Sequence, residues 1–338
     1  MKIDGGLDSD LAEVGAIARA REEQGYDGLW SAETAHDPFL PLALAAQTTE
    51  RAELGTGIAV AFARNPMLLA QVGWDLQAAS GGRFILGLGS QIEPHITRRF
   101  SMPWSAPAAR MREMIEAIRA IWASWQDGTK LDFRGDFYTH TLMTPFFNPG
   151  PNPHGAAKIF LAGVGQRMTE VAGEVSDGFL CHAFTTDRYL REVTLPALER
   201  GATSAGRSLA DIEISGPAFV VTGTTEEKMA DSAAKTRRQI AFYGSTPAYR
   251  PVLELHGLGA MQDDLNAMSK QGRWEEMGDL VTDDVLDLFA VVAEPEDLAD
   301  AVAARFGDVV QRLSFYTPRS GDVTRWKTAI EHLQGVGR

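Results

Sequence analysis

Three Gly-x-Gly elements, Gly55-Thr56-Gly57, Gly87-Leu88-Gly89 and Gly163-Val164-Gly165, each fall at the end of a β-type run. Glycine at such a place permits a tight strand-to-helix turn, or lets a ligand lie close to the backbone. The third element directly precedes a helical stretch, Met168 to Val175. A helix N-terminus with glycine-exposed amides, here those of Gly163, Val164, Gly165 and Gln166, is a ready phosphate site. None of the three completes GxGxxG, because the third glycine would fall on Val60, Ile92 and Met168, and no GxxxxGK[ST] occurs. Rossmann and P-loop readings therefore fail.

The titratable residues exclude other chemistries. Seven histidines are scattered at 36, 95, 140, 154, 182, 256 and 332, with no HExxH, CxxC or GxSxG. Zinc and serine hydrolysis are thereby argued against, and no metal site is expected. His182 ends a buried-looking run and reads as a satisfied histidine on a barrel rim. His36 stands beside Asp37-Pro38 as a helix-start residue, and His95, with Arg98 and Arg99, reads as a solvated loop residue. Cys181 is the one cysteine, which rules out an internal disulfide or a thiolate-rich zinc site and fits a buried, small apolar residue.

Positioning these residues requires regular elements. Short β-type runs alternate with helical runs almost from end to end: Lys2–Asp4, Gly28–Ala32, Glu53–Val60, Phe84–Leu88, Lys158–Ala162, Gly178–His182, Ile212–Val221 and Val310–Thr317. Eight strands in this alternation predict an α/β protein of the (β/α)8 TIM-barrel class, whose sites lie at the C-terminal strand ends. Three Gly-x-Gly elements at that face favour a planar ligand. A ninth run, Phe289–Ala293, is read as a helix end leading into Pro295. Asp37-Pro38, Asn65-Pro66 and Glu294-Pro295 read as helix starts with proline at a first helical position. Met111, Met114, Ile115, Ile118, Ile121 and Trp122 recur at helical spacing and mark a core-facing stripe.

A barrel needs about 250 residues, and the chain has 338. The surplus falls in insertions at about 91–109, 126–157 and 243–283, expected at the C-terminal face of one domain spanning 1–338. With 32 Lys+Arg against 45 Asp+Glu the formal charge is −13, which gives no footprint for nucleic acid. The longest stretch without a charged residue, Phe137 to Ala157, carries four prolines and two histidines, so a membrane helix is not expected. The N-terminus lacks the apolar region of a signal peptide, and a cytoplasmic protein is expected.

Several runs resemble the bacterial-luciferase-like superfamily: Gly25-Tyr26-Asp27-Gly28-Leu29-Trp30-Ser31-Ala32-Glu33, Leu54-Gly55-Thr56-Gly57-Ile58-Ala59 with Asn65-Pro66, Gly82-Arg83-Phe84-Ile85-Leu86-Gly87-Leu88-Gly89, and Phe160-Leu161-Ala162-Gly163 before Ala172-Gly173 and Asp177-Gly178-Phe179. Within it the chain resembles the deazaflavin-dependent oxidoreductases, including Arg99-Phe100-Ser101-Met102-Pro103-Trp104 and Gly244-Ser245-Thr246-Pro247-Ala248-Tyr249-Arg250-Pro251. The resemblance implies a barrel that binds coenzyme F-420, an 8-hydroxy-5-deazaflavin, and transfers a hydride to or from a small organic substrate. The alternatives are a flavin mononucleotide (FMN) monooxygenase on the same barrel and a non-catalytic deazaflavin-binding protein.

The resemblance also implies site residues. A bulge at Gly57–Ile58, commonly with a non-proline cis bond, would push a side chain behind the cofactor ring. Gly89, Ser90 and Gln91 would border the ring or side chain, and Gly163, Val164, Gly165 and Gln166 would hold the phosphate. Where the sugar-phosphate-oxidising branch has an Asp-His pair and a glutamate, this chain has Ala32-Glu33 and Ile92, which argues against sugar-phosphate oxidation. Glu33 then takes the proton-transfer or substrate-orienting place, with His36 and His95 as competing catalytic candidates. A homodimer is expected.

Overall fold

Strands buried on both faces read as near-continuous apolar runs rather than alternating ones, and Phe84–Gly89, buried at all six positions, is the clearest case. The computed structural model describes residues 1–7, 10–316 and 326–335. Its principal strands are β1 (Lys2–Gly6), β2 (Gly28–Ser31), β3 (Glu53–Thr56), β4 (Phe84–Gly89), β5 (Lys158–Ala162), β6 (Gly178–Leu180), β7 (Glu213–Val221) and β8 (Arg312–Tyr316). Each pairs with the next in sequence, β8 returns to β1, and the parallel sheet closes as a (β/α)8 barrel ringed by helices. Thr317, the predicted end of the eighth strand, lies outside the described residues.

The register explains the break in the predicted strand 53–60. Leu54 pairs with Phe84 and Gly55 with Ile85, yet Ala59 pairs with Leu88 and Val60 with Gly89. Five steps on one strand therefore span four on its neighbour, and the extra residue makes a bulge over 56–58. Thr56 bridges the gap: its hydroxyl donates to Gly87 O at 2.7 Å and accepts from Gly87 N at 2.9 Å. A Cβ on Gly87 would stand 1.8 Å from Thr56 O, so only glycine fits. The Gly57–Ile58 peptide bond is cis, as the resemblance implies.

Three expectations are corrected, one of them at Pro38, which is the N-cap of a helix that begins at Phe39 and not its first residue. Phe289–Ala293 is not simply a helix end. The helix stops at Phe289, and Ala290–Val292 form a short strand on Phe219–Val221. The nine-residue β7 outruns β8, whose pairing ends at Phe219, and its remaining edge takes up the β-branched pair Val291-Val292. Pro295 is also not the first helical residue, because 295–297 form a turn closed by Asp297 N to Glu294 O and the helix begins at Leu298. Asn65 does cap its helix, accepting from Leu68 N at 3.0 Å with Pro66 in the first turn.

Two compact units partition the chain. One comprises Asp4–Leu180 and Ala197–Glu213. Its long helix Pro107–Asp127 buries the whole predicted stripe from Met111 to Trp122, and Trp122 Nε1 donates to Ala70 O at 2.9 Å. The segment 128–157 carries a small hairpin, Phe133–Arg134 with Thr139–His140. Its turn is fastened to the same helix by Glu113, whose carboxylate accepts from the amides of Asp136, Phe137 and Tyr138. The other unit comprises Met1–Ile3, Cys181–Pro196 and the chain from Ile214 onward. Its core gathers Phe184, Phe219, Ile240, Leu253, Leu265 and Phe289, and 243–283 contributes the helix Gly259–Lys270 to it. Cys181 is free and buried, and burial pushes its thiol up to about 12.

Candidate active site

The bulge after β3 presents Ile58 toward the end of β4, where a Cβ on Gly89 would lie 2.9 Å from Ile58 Cδ1. Glycine at 89 is thus the space that Ile58 occupies. Two backbone bonds hold the bulge to β2 and the residues after it: Gly57 N to Ser31 O at 2.8 Å and Glu33 N to Ile58 O at 3.1 Å.

Glu33 adds a third restraint. Its Oε2 accepts from Val60 N at 2.7 Å and from Arg64 Nη1 at 2.6 Å, and its side chain is only 6% exposed. Arg64 reaches on to Asp37 Oδ2 at 3.1 Å and lies over the Phe39 ring at 5.3 Å. One carboxylate oxygen is therefore committed to a charge-assisted pair and a backbone amide, an arrangement that fixes position.

His36 is exposed on the loop between these residues and the helix Phe39–Ala46. His95 is exposed as well, at the start of a single wide turn, His95–Arg99. Arg99 Nη2 donates to Thr34 O, which ties the loop carrying His95 to the loop carrying His36. Between β4 and that turn, Ser90 Oγ donates to Gln91 O at 3.0 Å, and Gln91 adopts a left-handed φ of 61° while its Oε1 accepts from Ile92 N.

The helix Gln166–Val175 follows β5 through Gly163, Val164 and Gly165, and Gly165 caps it without a side-chain bond. The first amides of a helix have no partner within it. Gly165 is exposed, and a Cβ built there meets nothing within 4 Å, whereas one on Gly163 would sit 3.0 Å from Met168 Cγ. The helix start is thus an open cradle of amides, a place that favours a phosphate by geometry and by helix dipole.

The other unit has a polar cluster of its own just past β6. His182 Nδ1 accepts from Phe184 N at 3.0 Å, and Nε2 lies 3.0 Å from Tyr249 Oη. Tyr243 Oη and Tyr316 Oη are 2.6 Å apart. Burial pushes His182 down to about 4 and Tyr249 up to about 12, and Tyr243 is pushed higher still by burial and its tyrosine neighbour. Sequence reasoning singled out His182 alone of these four. Tyr249 lay within a run quoted for the resemblance, but Tyr243 and Tyr316 carried no spacing signal.

No group of three or more metal-ligating side chains occurs among the described residues, and none of the described helices is long and apolar enough to cross a membrane. A family model described as luciferase-like monooxygenase matches residues 2–312. An uncharacterized protein of Mycobacterium tuberculosis is 54% identical over 93% of this chain and 92% of its own length. The 5,10-methylenetetrahydromethanopterin reductase of Methanolobus tindarius is 31% identical over 85% of this chain and 84% of the reductase. Among solved structures, the coenzyme F420 dependent tetrahydromethanopterin reductase from Methanopyrus kandleri superposes with a TM-score of 0.76 at 21% identity, covering 98% of this chain and 96% of that one.

Proposed function

Because the chain belongs to the luciferase-like monooxygenase family, we propose that it is an oxidoreductase that exchanges a hydride between coenzyme F-420 and a small organic substrate. The observation that carries this reading is the fit of the barrel end to such a coenzyme. A planar ring needs a flat backing, which Ile58 on its bulge offers beside the glycine end of β4. A phosphate needs donors with room around them, which the open amides from Gly163 to Gln166 offer. The reductase relative, and the coenzyme dependence named for the Methanopyrus enzyme, support a deazaflavin over other flavins.

When bound, the coenzyme would supply the hydride chemistry, and the protein's part is binding, orientation and exclusion of water. Gly57, Ile58, Gly89, Ser90 and Gln91 would border the ring and its side chain, and Gly163, Val164, Gly165 and Gln166 would hold the phosphate. Glu33 holds the bulge in place through Val60 N and Arg64. We assign it the orienting role and leave His36 and His95, both exposed near the mouth loops, as the groups able to carry a proton. We also read the chain as one catalytic domain acting as a cytoplasmic homodimer on a small molecule.

A second reading, an FMN-dependent monooxygenase, is favoured by the family description. Oxygen uptake separates the two. The protein loaded with reduced coenzyme F-420 is expected to reoxidise it with an organic acceptor and without consuming oxygen. Oxygen consumption on loading with reduced FMN would support the monooxygenase, and binding without turnover on any acceptor would support a carrier.

A further inference from the structure

We propose that the cavity between the helices Glu226–Gly244 and Asp283–Phe289 binds a small organic amine, its apolar body lying along the helices and its ammonium among Glu226, Glu294 and Glu296. All the lining residues lie in one of the two units, and none belongs to the coenzyme set of the proposed function. The site is a second one, independent of the oxidoreductase reading.

Helical spacing builds the walls. Glu226, Met229, Ala230, Ala233 and Arg237 recur at the i, i+3, i+4, i+7 spacing of one helix face, over about 16 Å of helix. Asp283, Leu286 and Asp287 share a face of the shorter helix in the same way. Val221 ends β7 and Val292 ends the short strand beside it, and Ala293 N donates to Val221 O at 3.1 Å. That bond brings the segments 223–226 and 294–296 together at one end of the cavity. The volume enclosed is about 700 Å3, within the range of about 300–1,000 Å3 usual for ligand sites. Val221, Met229, Ala233, Leu286, Val292 and Pro295 give it an apolar lining, and Val292 stays 44% exposed, apolar surface that an occupant would cover.

The two ends differ in charge. At one, Arg237 is committed to Asp283 and to Val281 O, a closed ion pair. At the other, Glu226, Glu294 and Glu296 line the mouth, and among the described residues no ion pair reaches any of the three. Positive charge there comes from Lys228, whose Nζ donates to Thr224 Oγ1 at 3.2 Å. The starts of the helices Glu226–Gly244 and Leu298–Phe306 add about half an elementary charge each. The three mouth carboxylates, with Glu227 in the first turn of one helix and Asp297 at the start of the other, outweigh this by about three charges. Asp287 adds a further carboxylate to the wall.

This pairing of an apolar trough with an acidic mouth gives the ligand class. The carboxylates are spread along the rim, and the described residues gather no group of three or more metal-ligating side chains, so the mouth suits an organic cation rather than a metal ion. A protonated amine on a hydrocarbon body meets both halves of the site: burial of the body removes apolar surface from water, and the ammonium keeps its hydration while facing the carboxylates. A carboxylate on the same body would be repelled at the mouth.

The test is calorimetric titration of the full chain with three probes of one shape, 4-phenylbutylamine, 4-phenylbutanol and 4-phenylbutanoate. The wild type is expected to bind the amine with a Kd below about 1 mM and the carboxylate at least about tenfold more weakly. Raising salt from about 0.05 to about 0.5 M should weaken the amine and leave the alcohol unchanged. Glu226, Glu294 and Glu296 are exposed, so the triple variant Glu226→Gln, Glu294→Gln, Glu296→Gln should keep its thermal unfolding curve. It should bind the amine about fivefold or more weakly and the alcohol as before. Ala230→Phe, at an exposed position of the lining, should fill the trough and weaken both the amine and the alcohol about tenfold or more. Failure of the wild type to bind the amine would overturn the proposal. So would carboxylate binding as tight as the amine's, or amine affinity unchanged in the triple variant or in Ala230→Phe. Should Ala230→Phe fail to fold, the triple variant decides alone.

Discussion

The hydroxyl of Thr56 replaces a missing rung of the barrel by bonding both the N–H and the C=O of Gly87, at 2.9 and 2.7 Å. Beside the backbone bonds and the Glu33 carboxylate that hold the bulge carrying Ile58, one side chain thus fills its gap in the ladder. Thr56→Val keeps the shape and removes both bonds, leaving two buried backbone groups unsatisfied at about 1–3 kcal/mol each. A loss of roughly 2–6 kcal/mol in urea unfolding is expected, together with weaker coenzyme binding. A variant as stable as the wild type would show that the bulge needs no such bridge.

Glu33 and Arg64 should behave as one unit. Both are largely buried, with side-chain exposures of 6% and 18%, and breaking a buried pair at one end leaves the other charge uncompensated. Glu33→Gln and Arg64→Met are each expected to lower stability by about 1–3 kcal/mol and coenzyme affinity with it. The double variant should fall short of the sum by about 1 kcal/mol or more. A fall in turnover of about 100-fold in Glu33→Gln, with binding and stability intact, would instead make Glu33 a general base.

Gly165→Val tests the phosphate cradle. The backbone at Gly165 has φ −80° and ψ 147°, which valine adopts freely, and a Cβ there meets nothing within 4 Å. The unloaded protein should unfold at an unchanged temperature, while coenzyme affinity falls by about tenfold or more, equivalent to about 1.4 kcal/mol. Equal affinity would move the phosphate elsewhere.

His182 gives a pH dependence with a defined sign. Its folded pKa, about 4, lies below the ordinary value of about 6.5. The unfolded chain therefore takes up the proton first as pH falls. Stability contributed by the neutral ring is complete above about 6.5, declines between about 6.5 and 4, and is flat below that. At most about 3 kcal/mol is at stake. Urea unfolding of wild type and His182→Gln at pH 7 and 4.5 should show the wild type losing more on acidification. Parallel losses would contradict a buried neutral imidazole.

The barrel was legible because strands such as Phe84–Gly89 and Lys158–Ala162 are buried runs set off by glycines and helix signals. The bulge was not legible from residue patterns, since it is a mismatch of register between β3 and β4 that appears only when both strands are paired; the resemblance supplied it. Ala290–Val292 misled because three apolar residues after a helix suit a helix end as well as an edge strand. Glu33 was visible as a site residue, but Arg64 lies 31 positions away, beyond any local pattern. The Tyr243, Tyr249 and Tyr316 cluster is hidden for the same reason, its members converging from separate elements.

The most direct measurement is a pair of binding titrations on the purified protein, one with coenzyme F-420 and one with FMN, read by ligand fluorescence and repeated on Gly165→Val. Saturable binding of coenzyme F-420 at a micromolar Kd is expected, about tenfold or more tighter than FMN, and weakened about tenfold or more in the variant. Preferential binding of FMN, or no binding of either, would contradict it.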